Sequence, residues 1–426
     1  MKKLFDGALQ KRKTWQREVI AGVTAFFAIS YIIIVNPMIL ADAGIPAELS
    51  VFATIFSSVI GCLLMAFWSD APIVLTPGMG INAFFTYTIC VNMGLHWHEA
   101  IAISLVSGLI FVFVACTKWC TRLSQAVPGS LKSAITAGIG LYLVEIGLEK
   151  AQLIQRGANS MVELGSLTNP VALLALFGLV LSLLLYFRKV MGGFFIAILV
   201  TSVVGYFVGI RDAAPMDLNF ANLAFYPQLL LKADFSNMMS IPFLLSVFSM
   251  SMIMIFETMG LLEGILPDQR KFKKTFEGSA FTTMFSGLLG TSPTVAAAES
   301  AAGIASGGRT GLMALTAAVL FALSLFFIPL LSFVPQAAIA PVIIITGAMM
   351  MQQLQYVEFN DFSEWFPAFL VVVLIPWSGS ISTGLAFGFT AYPLLKLMNG
   401  RRQEVHVLGY GLGFLFLLNL VFQAGF

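Results

Sequence analysis

The sequence predicts an all-α membrane protein with 14 transmembrane segments in a 7+7 inverted repeat, broken spans 3 and 10 carrying short extended stretches. Three observations predict it: a composition that water cannot fold, a one-sided distribution of positive charge, and two matching interruptions. Of 426 residues, 58% are hydrophobic and only 10% charged, with a mean hydropathy of +0.92. Too little polar surface is available to cover a water-facing globule, so the lipid bilayer is the solvent. A net charge of +2 gives no nucleic acid a reason to bind.

A spanning helix needs about 20 apolar residues. Apolar segments fall near 19–38, 50–68, 71–91, 98–116, 130–148, 170–187, 191–210, 240–262, 273–290, 291–307, 309–328, 335–352, 361–377 and 380–397. A further glycine-rich apolar stretch, 403–424, reads as an interfacial or re-entrant tail. Met1 to Arg17 is basic and amphipathic, with no small-residue cleavage site. With the N-terminus in the cytoplasm, only Lys150, Arg156, Arg211 and Lys232 of the 23 basic residues fall outside. Positive charge accumulates on cytoplasmic loops, and gaining or losing a central span would scramble this asymmetry.

Seven spans on either side of a polar connector make the halves inverted, an arrangement that places a site at the repeat interface. In the third span, Pro72 to Thr76 reads as extended before Pro77, Gly78-Met79-Gly80 permits a turn, and Ile81 to Phe85 begins a helix. In the tenth, Gly290 to Val295 is extended before a helix over Ala296 to Ala302. Pro77 lies 58 residues after the first span begins and Pro293 lies 53 after the eighth, so the breaks correspond. Unpaired backbone at bilayer depth is tolerated only where protein buries it or a cavity is wet, which implies a polar pocket between the breaks. Each half-helix N-terminus would add free N–H groups and partial positive charge there.

Glu257 and Glu299 are the ionisable groups at that depth, where a carboxylate costs roughly 2.5–3.5 kcal/mol, so they are functional candidates. Glu145 falls at the end of its span and Glu263 in the cytoplasmic loop after the eighth span. A carboxylate can accept two N–H bonds side by side from a flat, neutral purine, with backbone N–H groups serving its ring nitrogens. Phe84, Phe85 or Phe256 could stack on the base. Desolvation favours the neutral carboxyl and a helix N-terminus the charged form, so such a site could load and release a proton. Cys62, Cys90, Cys116 and Cys120 lie in or beside apolar runs, and with His96, His98 and His406 they form no metal set. With no cofactor motif and no nucleophile–base pair, no enzyme is expected, and no cofactor.

Asn36 to Leu40 (NPMIL), Pro77 to Tyr87 (PGMGINAFFTY), Gly290 to Ile304 (GTSPTVAAAESAAGI) and Gly307 to Gly311 (GGRTG) resemble the nucleobase:cation symporter family, in its azaguanine-type hypoxanthine/guanine/adenine permease branch. The resemblance runs over nearly the whole chain. It implies a cytoplasmic amphipathic N-terminus (1–17), a core domain in two parts (18–116 with spans 1–4, 239–328 with spans 8–11) and a gate domain in two parts (117–210 with spans 5–7, 329–426 with spans 12–14 and the apolar tail), with an extracytoplasmic connector at 211–238. It further implies elevator-like movement of core against gate in the cytoplasmic (inner) membrane, often as homodimers, with uptake of a purine nucleobase by proton symport. The binding positions that match are Asn82, Glu257, Glu299 and the backbone at Ala298, with Phe84 as the stacking candidate. Glu257 stands where the branch has Asp, and Ala296, Ala297 and Ala298 where it has polar and aromatic residues. A histidine of uracil-type relatives is replaced by Leu261.

Other readings stay open: a carrier of xanthine, uracil or another small planar solute, an anion carrier for sulfate or bicarbonate on the same architecture, and a channel or membrane receptor. Two mid-membrane carboxylates would repel an anion, and paired broken helices fit alternating access better than an open pore.

Overall fold

The computed structural model describes residues 12–155, 157, 162–210 and 219–424. Lys2, Lys3 and Lys11 of the basic N-terminal segment, Arg156 and Arg211 of the outside charges, and 211–218 of the connector lie outside the described residues.

The protein is mostly helical. Eight helices among the described residues are long and apolar enough to cross a membrane, and Gly193–Val208, Phe362–Ser378 and Val407–Phe422 are shorter apolar ones. Local chemistry sets many boundaries. Asn169 caps Pro170–Phe187 by accepting from Val171 N at 2.9 Å, with Pro170 at the first position, where its missing N–H costs nothing. Gly379, at φ +60°, ends Phe362–Ser378, and Ser380 caps the next helix, Ile381–Met398.

The packing runs in two sets. Trp97–Cys116 lies against Phe272–Leu288, and Gly311–Ser324 against Arg12–Ile29 and Ala47–Leu64. Gly129–Lys150 lies along Gln336–Met351, and each also carries the helix that follows its partner: Phe362–Ser378 on the first, Pro170–Phe187 on the second. Gly140 and Gly347 allow the two long helices to touch backbone to backbone, since a Cβ on either would meet the other's carbonyl.

Both interrupted stretches are present, and they meet. Leu75–Pro77 and Thr294–Ala296 form an antiparallel two-stranded ribbon, with Leu75 opposite Ala296, Thr76 opposite Val295 and Pro77 opposite Thr294. Gly78 N donates to Pro293 O at 3.2 Å, Ala297 N to Val74 O at 3.0 Å, and Val74 N to Ser300 Oγ at 2.9 Å. The groups each break frees are thereby satisfied by the other break, as a low-dielectric interior demands.

Four details differ from the sequence reading. The helix after the first break starts at Met79 rather than Ile81 and passes into π-helical turns over Phe84–Asn92. After the second break Ala296 is still in the strand, and the helix is Ser300–Ala305, because the ribbon claims the backbone as far as Ala297. The first apolar segment is two helices, Arg12–Ile29 and Ile32–Asp42, interrupted at Ser30 and Tyr31. The 403–424 stretch, read as an interfacial or re-entrant tail, is not re-entrant: Val407–Ala424 is one helix packed on Ile381–Met398, and its buried Asn419 donates to Ser249 Oγ (3.3 Å) and Ser382 Oγ (3.2 Å).

Candidate functional site

The ribbon positions everything around it. The helix Ile241–Ile265 packs against Thr294–Ala296, Ser300–Ala305 and Met79–Ala83, which brings Glu257 to the side of the paired breaks. A Cβ on Gly80 would stand 3.6 Å from Glu257 Oε1, so the first helical turn after the span-3 break faces that carboxylate. Glu257 Oε2 is buried without a hydrogen-bond partner among the described residues, as are Thr86 Oγ1 and Thr258 Oγ1. A buried polar group without a partner costs about 1–3 kcal/mol, more if charged.

Glu299 stands immediately before Ser300–Ala305 and accepts from Tyr31 Oη at 2.5 Å. Ala298 beside it is exposed, although the strand before it is buried. Glu257 and Glu299 are each partly exposed residues deep in the helix packing, with Glu257 Oε2 itself buried. A six-residue helix sums too few peptide dipoles to dominate the field, so the hydrogen-bonding capacity here rests on individual groups.

Asn82 lies elsewhere. It is two residues past Gly80, hence about 200° round the helix, and it is fully buried on the far side from Glu257. Ser292 Oγ donates to Asn82 Oδ1 and, at 3.3 Å, to Asn36 Oδ1. Asn36 Nδ2 donates to Thr54 Oγ1 (2.8 Å) and Thr291 Oγ1 (3.2 Å). This network joins the first two apolar segments to both breaks and leaves Asn82 Nδ2 without a partner among the described residues. Phe84 shares the Gly80 face and is fully buried, so no ring face is open in this conformation. Phe256 is buried and stacks on Phe389, with ring centroids 5.7 Å apart and planes at 22°.

Tyr31, Asn36, Thr291 and Ser292 were given no role by sequence reasoning. The available signal was polarity: each interrupts or borders an apolar run at membrane depth. The Gly307–Gly311 motif is structural. Arg309 N and Gly311 N donate to Glu18 Oε1 (2.9 Å) and Asp70 Oδ1 (2.8 Å), and Thr310 caps the helix Gly311–Ser324 by accepting from Leu312 N at 3.3 Å. Glu263 is still helical, in the last turn of Ile241–Ile265, and pairs with Lys132 at 3.5 Å. A separate cavity lined by Val35, Met38, Ile39, Ile339 and Ile343, edged by Lys150 and Gln336, holds neither Glu257 nor Glu299. Its mostly apolar wall offers a purine edge few partners.

Known proteins resemble this chain over most of its length. The Permease family (Xan_ur_permease) matches residues 16–387. The chain is 40% identical to the nucleobase transporter PlAzg2 of Paenibacillus larvae over 89% of this chain and 77% of that one. It is 36% identical to the guanine/hypoxanthine permease PbuO of Bacillus subtilis over 96% and 98% respectively. Among solved structures, the transmembrane domain of a cyanobacterial bicarbonate transporter, BicA, aligns with a TM-score of 0.59 at 17% identity, covering 91% of this chain and 97% of that one, which is a likeness of fold. The protein is therefore an integral, multi-pass member of the Permease family, related to nucleobase permeases, and a transporter rather than an enzyme.

Proposed function

We propose that this permease takes up a purine nucleobase, guanine/hypoxanthine or adenine, by proton symport, in an elevator movement of a core domain (18–116 and 239–328) against a gate domain (117–210 and 329–426). The observation that carries the reading is the pair of carboxylates at the joined breaks, Glu257 and Glu299, both on partly exposed residues, with Glu257 Oε2 unpartnered among the described residues. Such a place suits a flat solute that carries both donors and acceptors on its edge. It suits an anion poorly, because two acids would repel it. Glu257, Ala298 and Glu299 then form the substrate face, Asn82 fixes the break from behind, Phe84 supports the first turn, and the two glutamates are the proton-coupling candidates.

The 14-span, 7+7 reading is supported by the antiparallel ribbon and by the reciprocal packing of Gly129–Lys150 and Gln336–Met351. Two ion pairs at opposite ends of Gly129–Lys150, Lys132–Glu263 (3.5 Å) and Lys150–Asp42 (2.7 Å), link the proposed domains and would break and re-form as they slide. We place the N-terminus in the cytoplasm, the protein in the cytoplasmic membrane, and the assembly as a homodimer. The test is uptake of radiolabelled guanine, hypoxanthine and adenine by cells expressing the chain, with and without a proton-gradient uncoupler. Uptake that the uncoupler abolishes and Glu299→Gln removes is expected; uptake insensitive to the uncoupler refutes symport, and a competent Glu299→Gln variant removes that residue from the mechanism.

A further inference from the structure

Tyr31 is fully buried at the interruption between Arg12–Ile29 and Ile32–Asp42, and its hydroxyl donates to Glu299 Oε1 at 2.5 Å. No glycine or proline lies within residues 28–32, so the local sequence does not by itself require a break there. The side chain also faces the proposed gate: its ring meets Phe194 edge-on with centroids 6.0 Å apart, and Thr346 lies beside its hydroxyl. One residue thus holds the span-10 carboxylate and touches two helices of the other set.

We propose that Tyr31 is a specificity-determining residue: its hydroxyl engages one oxygen of Glu299 and weakens that oxygen as an acceptor for a second substrate N–H. The inference rests on the purine reading and deepens it. A carboxylate with both oxygens free takes two adjacent N–H groups at once, and guanine presents N1–H beside its 2-amino group, whereas hypoxanthine presents N1–H alone on that edge. With one oxygen already bonded by Tyr31, the second donor of guanine gains little there, and the two bases are read nearly alike at this point.

Tyr31→Phe keeps the ring against Phe194 and frees the second oxygen. A charge-assisted hydrogen bond changes affinity by about tenfold or more, so the ratio of guanine to hypoxanthine uptake efficiency should rise by about tenfold in Tyr31→Phe. The experiment measures concentration-dependent uptake of both bases by the wild type and Tyr31→Phe. An equal fall for both bases, with the ratio unchanged, overturns the proposal and makes Tyr31 a structural residue. Where Tyr31→Phe does not reach the membrane folded, competition on the wild type decides: hypoxanthine lacks the 2-amino donor of guanine without added bulk. It should compete within a fewfold of guanine; a loss of more than tenfold by hypoxanthine overturns the proposal. A wild type that takes up neither base refutes the permease reading itself, and the role of Tyr31 with it.

Discussion

Gly80→Ala adds a single methyl group where the broken span 3 meets both Glu257 and the helix Gly129–Lys150. The new Cβ would lie 2.5 Å from Ile139 Cγ2, 3.4 Å from Ile139 Cδ1 and 3.6 Å from Glu257 Oε1. Ordinary carbon contacts begin near 3.5 Å, so the two helices must separate by about 1 Å. Ile139 cannot yield by rotation alone, because its Cγ2 is fixed to a β-branched carbon with few open rotamers. Two effects oppose each other. Alanine gains up to about 1 kcal/mol over glycine in helix propensity, and overpacking costs roughly 1–3 kcal/mol. The clash wins, because a helix of five residues supported by packing draws little from propensity. The conformation with the break seated on Ile139 should lose roughly 1–3 kcal/mol, which is about five- to 150-fold in its population. The assay is radiolabelled purine uptake at low concentration for Gly80→Ala, Ile139→Ala and the double variant. Gly80→Ala should be strongly impaired, and Ile139→Ala, which removes both offending carbons, should restore activity in that background beyond what either single effect predicts. Wild-type uptake by a folded Gly80→Ala protein, or strictly additive losses in the double variant, would refute the argument.

Asn36→Ala should lower stability by roughly 2–3 kcal/mol, since it removes bonds to Thr54, Thr291 and Ser292 while Thr54 keeps its own bond to Ser50 O, and a matching fall in thermal unfolding temperature in detergent is the check. Asp361, which caps Phe362–Ser378, is pushed down to about 2 by the hydrogen bond from the Ser363 hydroxyl, with the Ser363 N–H and Lys396 acting in the same direction. Because its folded pKa lies below that of an unfolded aspartate, near 3.9, its contribution is complete above that value and is lost as pH falls toward 2. Unfolding temperature should therefore drop more steeply between pH 4 and 2 in the wild type than in Asp361→Asn; parallel curves would refute that role.

Proline and glycine made the two breaks legible. Pro72, Pro77 and Pro293 forbid helix before them, and Gly78 and Gly290 permit the turns, all within windows of a few residues. What those breaks do with their freed groups was not legible, because Leu75 and Ala296 are joined by nothing in local sequence. The same limit hid the interruption at Tyr31. Its neighbours Ile29, Ile32 and Ile33 read as one apolar run, and the partner that holds it, Glu299, lies far along the chain. Glu257 and Glu299 were legible from the cost of charge in lipid. The placement of Asn82 was not, because its two-residue offset from Gly80 matters only once the direction of Glu257 is known. The apolar tail defeated composition, since hydrophobicity alone cannot say whether Asn419 has buried partners.

The ribbon between the breaks also has a consequence for how the chain is made. Leu75 emerges from the ribosome long before Ala296, and until the later segment arrives the peptide groups around Val74 and Pro77 have no strand to bond. An unsatisfied backbone cannot rest in lipid, so the early half must wait in a wetter or chaperoned place during synthesis. A truncated chain ending before residue 290 should accordingly be a substrate for membrane quality control, and co-expressing the missing half from a second transcript should rescue it.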